Sequence, residues 1–302
     1  MDISFSGVTF KNNGVLASGI LGVKASSMAR VASYGAGGVT TKSISKNIRA
    51  GHNTPVVQIF EQGIINAVGL SSLGIEKSND ELKYLRSITT AIIIASVFGG
   101  TAEEFRETVE ELDNNSVDII ELNISCPNVA NEFGTPFCCD PKTASDVVKK
   151  VRDVTKKVLL VKLSPNYPNI GSIARACEDV GADGITAINS VGPGMLVDIN
   201  TFRPKLTNKS GGLSGPAILP IAIRSVYDIY KSVTIPIIGI GGITKVEDAI
   251  QMIAVGATLY GVGSGIFFNG IDIFKKINDG IDIFLKDKDM KYKDLVGIVH
   301  NI

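Results

Sequence analysis

The chain has no net charge to offer a partner. Its 30 Lys and Arg are matched by 30 Asp and Glu across 302 residues, so no long-range field draws a polyanion, and nucleic-acid or acidic-membrane binding is not expected. Long hydrophobic runs are also missing. The longest, residues 91–97, suits a buried strand and falls far short of the ~20 residues a membrane span needs. Met1-Asp2-Ile3-Ser4-Phe5 lacks the basic-then-apolar layout of a signal peptide. Cysteine is sparse: Cys126, Cys138, Cys139 and Cys177 form no Cys-x-x-Cys pair, which argues against a zinc site or a disulfide framework. The expectation is a cytosolic enzyme with reduced thiols and no metal. There is no short repeat, low-complexity tract or linker, so residues 1–302 are expected to form one domain.

What is present is an alternation. Short β-branched runs at 15–17, 38–41, 92–96, 118–122, 158–163, 184–188, 237–240 and 259–262 alternate with stretches of helical spacing at 26–33, 78–85, 101–112, 141–151, 170–180, 220–232, 245–254 and 271–285. Strands with few polar interruptions suit a parallel sheet covered on both faces. Eight strand–helix units predict the α/β class and a (β/α)₈ TIM barrel. Helix entries are marked by Thr101, by Asp140-Pro141 and by Thr244-Lys245-Val246-Glu247, and helix exits by Gly181 and Gly256. Three insertions, at 43–75, 123–140 and 189–219, each follow a strand and precede a helix. They belong at the carboxyl face of the barrel, where active sites are built.

Two glycine turns follow the last two strands: Gly239-Ile240-Gly241-Gly242-Ile243-Thr244 and Gly261-Val262-Gly263-Ser264-Gly265. Without Cβ atoms, backbone N–H groups can approach an anion, and a helix start behind them adds a positive dipole end. This is the usual phosphate position of the barrel class; the alternative is close helix–strand packing. A dinucleotide fingerprint does not fit, because the acidic residue is missing at its spacing and the turn closes the chain instead of opening a βαβ unit.

Strand four runs into Asn123-Ile124-Ser125-Cys126-Pro127-Asn128. Two amides flank one thiol, and proline fixes the backbone after it. Amides donate and accept, which suits a planar ligand with alternating carbonyl and N–H groups. A thiol of ordinary pKa near ~8.5 can serve as a base at mildly alkaline pH; the alternative is an inert buried cysteine. Lys42 ends strand two and Lys162 lies within apolar strand five. Such lysines are costly to bury unless they meet an anion or a polar ligand, or snorkel to the strand end.

With Asn66-Ala67-Val68-Gly69-Leu70, Gly211-Gly212-Leu213-Ser214-Gly215-Pro216-Ala217 and Ile237-Ile238-Gly239-Ile240-Gly241-Gly242, these motifs resemble the class 1 dihydroorotate dehydrogenases over nearly the whole chain. They are most similar to the branch whose catalytic subunit works with a second, iron–sulfur flavoprotein subunit. The resemblance implies FMN over the barrel mouth. Its contacts would be Ser18, Lys42, Ser43, Ser96, Asn123, Lys162, Ile188 and Gly215, with Gly241, Gly242, Gly263 and Ser264 at the phosphate. It implies that Lys42, Asn66, Gly69, Leu70, Asn123, Asn128, Asn189 and Ser190 hold the pyrimidine. Cys126 would remove the C5 proton of dihydroorotate while the C6 hydride passes to the flavin, giving orotate for pyrimidine (UMP) biosynthesis. It further implies a homodimer core and a partner with FAD and an iron–sulfur centre.

Ser96 stands where the family usually has asparagine, and the adjacent Cys138 and Cys139 are read as incidental. The rival readings are a dihydropyrimidine dehydrogenase-like reductase of another pyrimidine, with Cys126 as an acid, and a barrel that only binds a phosphate ligand.

Overall fold

The computed structural model of the chain describes residues 2–125 and 137–301. Eight strands close a parallel barrel in sequence order: β1 (Gly14–Leu16), β2 (Gly38–Thr40), β3 (Ile92–Val97), β4 (Ile119–Asn123), β5 (Val158–Leu163), β6 (Gly184–Ala187), β7 (Ile237–Ile240) and β8 (Leu259–Val262). The expected (β/α)₈ barrel is therefore what the chain forms. The helices that cover it are α1 (Ala25–Ser33), α2 (Ile75–Ile88), α3 (Ala102–Glu110), α4 (Pro141–Arg152), α5 (Ile170–Asp179), α6 (Leu219–Tyr230), α7 (Val246–Ala254) and α8 (Ile273–Asp287).

Local chemistry sets these elements. In α4, Ala144, Val147, Val148 and Val151 recur at helical spacing and are buried against the sheet; each buried valine contributes about 1.5–3 kcal/mol of transfer free energy. Asp140 caps that helix, accepting from the Thr143 amide at 2.9 Å, and Pro141 fills its first turn. The Thr101 hydroxyl accepts from the Glu104 amide at the start of α3. At α7 the carboxylate of Asp248 accepts from the Thr244 and Lys245 amides. Helix α2 starts three residues before the expected Ser78. Buried Ile75 anchors its first turn, and the Ser78 hydroxyl bonds back to the Gly74 carbonyl inside the helix instead of capping it.

Three further features carry no strand–helix period. An antiparallel hairpin, Ile3–Phe5 with Val8–Phe10, precedes the barrel. Its Phe5 and Phe10 rings are fully buried, edge to face with centroids 6.1 Å apart. They rest where Gly184 and Gly38, at the starts of β6 and β2, have no side chain, so the hairpin plugs the amino-terminal end. At the other end, strands Val57–Phe60 and Gly63–Asn66 from the first insertion join Val191–Gly194 and Gly211–Ser214 from the third. They make a four-stranded antiparallel sheet over the mouth. A short helix, Gly265–Asn269, lies between β8 and α8.

Candidate active site

The carboxyl ends of the strands surround a cavity of about 500 Å³, within the usual range for a bound small molecule. It is long and has two chemically distinct ends.

At one end the glycine turns after β7 and β8 meet the short helix. Gly241, Gly242, Gly263 and Ser264 line this end. Among the described residues, their N–H groups donate to no backbone or side-chain acceptor. Gly242 has φ +76°, and a Cβ there would sit 2.6 Å from the Leu219 amide, so only glycine lets this turn lie against α6. Unpaired amides at the end of a barrel, with no side chain before them, form an anion cradle.

At the other end polar side chains interlock. Asn123, the last residue of β4, donates through Nδ2 to the Ser43 hydroxyl at 2.9 Å. Its Oδ1 accepts from the Ser125 hydroxyl at 3.2 Å and from Asn189 Nδ2 at 3.4 Å. Asn189 also donates to Ser125 Oγ at 2.9 Å, and its Oδ1 accepts from the Ser190 amide at 2.8 Å. Each amide is thus oriented by its neighbours, and the cluster is preorganised before any ligand arrives. Asn66 ends a strand of the mouth sheet, donating to the Gly212 carbonyl at 3.3 Å. Gly69 and Leu70 follow in a left-handed turn, φ +74° and +52°, and both line the cavity.

Two lysines stand between the ends. Lys162 is 5% exposed, with the cavity before it. A buried ammonium among Val161 and Leu163 calls for negative charge or carbonyl oxygens from whatever fills that space. Lys42 lines the cavity from the end of β2, and the Ser18 hydroxyl ties β1 to β2 through the Thr41 carbonyl at 2.8 Å.

Of the residues read from the sequence, Ser18, Lys42, Ser43, Asn66, Gly69, Leu70, Asn123, Lys162, Ile188, Asn189, Ser190, Gly241, Gly242, Gly263 and Ser264 share this one cavity. Two do not line it. Ser96 is fully buried behind the wall, its hydroxyl 3.1 Å from that of Ser43 and its amide donating to Thr41 Oγ1. Gly215 has φ +100°, and its missing Cβ makes room for Gly63 at 2.7 Å; it packs the mouth sheet. Cys126 and Asn128 lie outside the described residues. Sequence reasoning missed Asn166, which clamps the turn after β6 by donating to the Ser190 carbonyl at 3.3 Å and accepting from the Gly192 amide at 2.9 Å. Its only signal was its place two residues beyond Ser164, after β5. The apolar walls from Ile20, Leu21, Ile64, Val68, Ile218 and Phe267 were missed too. These come from loops and from elements too short to show a period. Among the described residues, no group of three or more His, Cys, Asp and Glu side chains could hold a metal ion, and no helix is long and apolar enough to cross a membrane.

The arrangement can hold a phosphate-bearing ligand lengthwise, with its far end beside Lys162 and a flat polar molecule against the asparagines. Comparison with known proteins gives the family. The family model for dihydroorotate dehydrogenase matches residues 1–285. A protein of Methanocaldococcus jannaschii is 43% identical over 97% of this chain and 96% of its own length. One of Methanothermobacter thermautotrophicus is 39% identical over 100% and 99%, and one of Pyrococcus horikoshii 40% over 99% and 97%. All three are named dihydroorotate dehydrogenase B (NAD(+)), catalytic subunit. A barrel with this cavity, matched end to end by such relatives, belongs to the dihydroorotate dehydrogenase family.

Proposed function

We propose that the chain oxidises (S)-dihydroorotate to orotate with FMN as its flavin. The observation that carries this reading is the joining, in one cavity, of an anion cradle, a buried lysine and an oriented amide cluster. The residues fit FMN. The free amides of Gly241, Gly242, Gly263 and Ser264 would take its phosphate, and Lys162, Lys42 and Ser43 would border its ring. When bound, FMN supplies the acceptor for the hydride from C6 of the substrate.

The chain's own residues do the rest. Asn66, Asn123, Asn128, Asn189 and Ser190 would hold the pyrimidine by its alternating carbonyl and N–H groups. Lys162 would stabilise negative charge that develops at the ring edge beside it. Cys126 would remove the C5 proton as the C5–C6 double bond forms, a general-base role. Its chain neighbour Ser125 is 1% exposed and bonded to both Asn123 and Asn189, which ties the base's backbone to the groups that orient the substrate.

The relatives are named as catalytic subunits of NAD(+)-linked enzymes. For this chain we infer a second subunit, with FAD and an iron–sulfur centre, that carries electrons on to NAD, around a homodimeric core. Anaerobic mixing of the flavin-loaded protein with dihydroorotate tests the central reading. Rapid loss of the oxidised-flavin absorbance is the expected result. Unchanged absorbance with flavin still bound would move the substrate to a different molecule.

A further inference from the structure

The barrel interior is layered. Pairing of the parallel strands climbs round the barrel, so side chains at one height come from alternate strands. Following the register, one inward layer holds Val15, Ile94, Leu160 and Ile238, all buried and apolar. Two residues higher on the same strands are Ala17, Ser96, Lys162 and Ile240. Between these layers, on the other four strands, lie Thr40, Glu121, Thr186 and Gly261. Cores of this barrel class are filled chiefly by branched apolar side chains; this middle layer has none.

Glu121 is 1% exposed and Thr186 fully buried. Among the described residues, neither Glu121 Oε1 nor Thr186 Oγ1 has a hydrogen-bond partner. A buried carboxylate needs both hydrogen bonds and a counter-charge. Glu121 makes no direct ion pair among the described residues. The one cation in the three layers is Lys162, a layer above. Gly261 gives the middle layer no fourth side chain, and Ile240 from the layer above fills the space before it. Two buried polar atoms of one layer without protein partners are groups that a buried water can satisfy.

We propose that Glu121 is a positioning residue for the flavin site: with Thr186 it holds a water beneath Lys162, and its carboxylate balances the Lys162 ammonium. This rests on the flavin reading above. A negative charge below the ring opposes the negative charge of the reduced flavin. Glu121 therefore makes the bound flavin harder to reduce than Lys162 alone would.

The test is the two-electron potential of bound FMN, measured by equilibration with reference dyes in the absence of substrate. Glu121→Gln keeps the shape and removes the charge. It should raise the potential, favouring reduced over oxidised FMN by about tenfold, or ~30 mV for a two-electron couple. Thr186→Val, which strips the carboxylate's polar neighbour without changing volume, should shift the potential in the same direction and serves if Glu121→Gln does not fold. An unchanged potential in flavin-loaded Glu121→Gln or Thr186→Val overturns the inference. A wild-type protein that holds no FMN overturns the proposed function and this inference with it.

Discussion

Cys126 and Cys177 are the same residue type read in opposite ways. Cys177 lies in α5 facing the barrel, and burial pushes its thiol up to about 12, so at neutral pH it is a packed apolar side chain. Cys126 follows Ser125, at the polar end of the cavity, and that place in the chain is what assigned it chemistry. Cys126→Ala should bind FMN normally yet slow flavin reduction by dihydroorotate about 10²–10⁴-fold, the usual loss for a general base. Stopped-flow absorbance would measure it, and full retained speed would remove Cys126 from the mechanism. At this scale the sequence was readable wherever a polar residue interrupted an apolar strand end, as with Lys42, Asn123 and Lys162. Ser96 and Gly215 lie outside the cavity lining, which position along the chain could not reveal, because it does not say what stands in between. Here Ser43 covers Ser96, and Gly63 occupies the space beside Gly215.

Among the elements, strands β1 to β8 and their helices were legible because each carries its own period and its own end signals. The hairpin 3–10 and the mouth sheet were not. Their strands are three or four residues long, too short to show a period, and the mouth sheet takes its strands from two separate insertions. The hairpin nonetheless matters for stability. The Phe10 ring fills the space over Gly38 and packs on Phe5. Phe10→Ala should cost about 3–5 kcal/mol, seen as a lower urea midpoint with an unchanged slope. A loss under about 1 kcal/mol would mean the hairpin only decorates the barrel.

For the molecule as a whole, the polar layers are stacked toward one end: apolar Val15, Ile94, Leu160 and Ile238, then Glu121 and Thr186, then Lys162 and Ser96, then the open cavity. Apolar packing and polar site are thus divided along the barrel axis, and on the reading proposed above FMN would complete the upper half. FMN at about 100 times its dissociation constant should add about 2.7 kcal/mol to the unfolding free energy. Thermal unfolding with and without FMN would read it as a rise in Tm, and no rise would mean that the cavity does not take FMN.

The mouth sheet also fixes when a working site can exist. Asn66 meets Gly212 across 146 residues. At about 5–20 residues per second of synthesis, the first half of that sheet waits roughly 7–30 s for its partner strand to leave the ribosome. The amides that would take the phosphate come later still, at Gly263 and Ser264. On the reading proposed above, a nascent chain would have no complete place for the pyrimidine or the cofactor until Ser264 has been made.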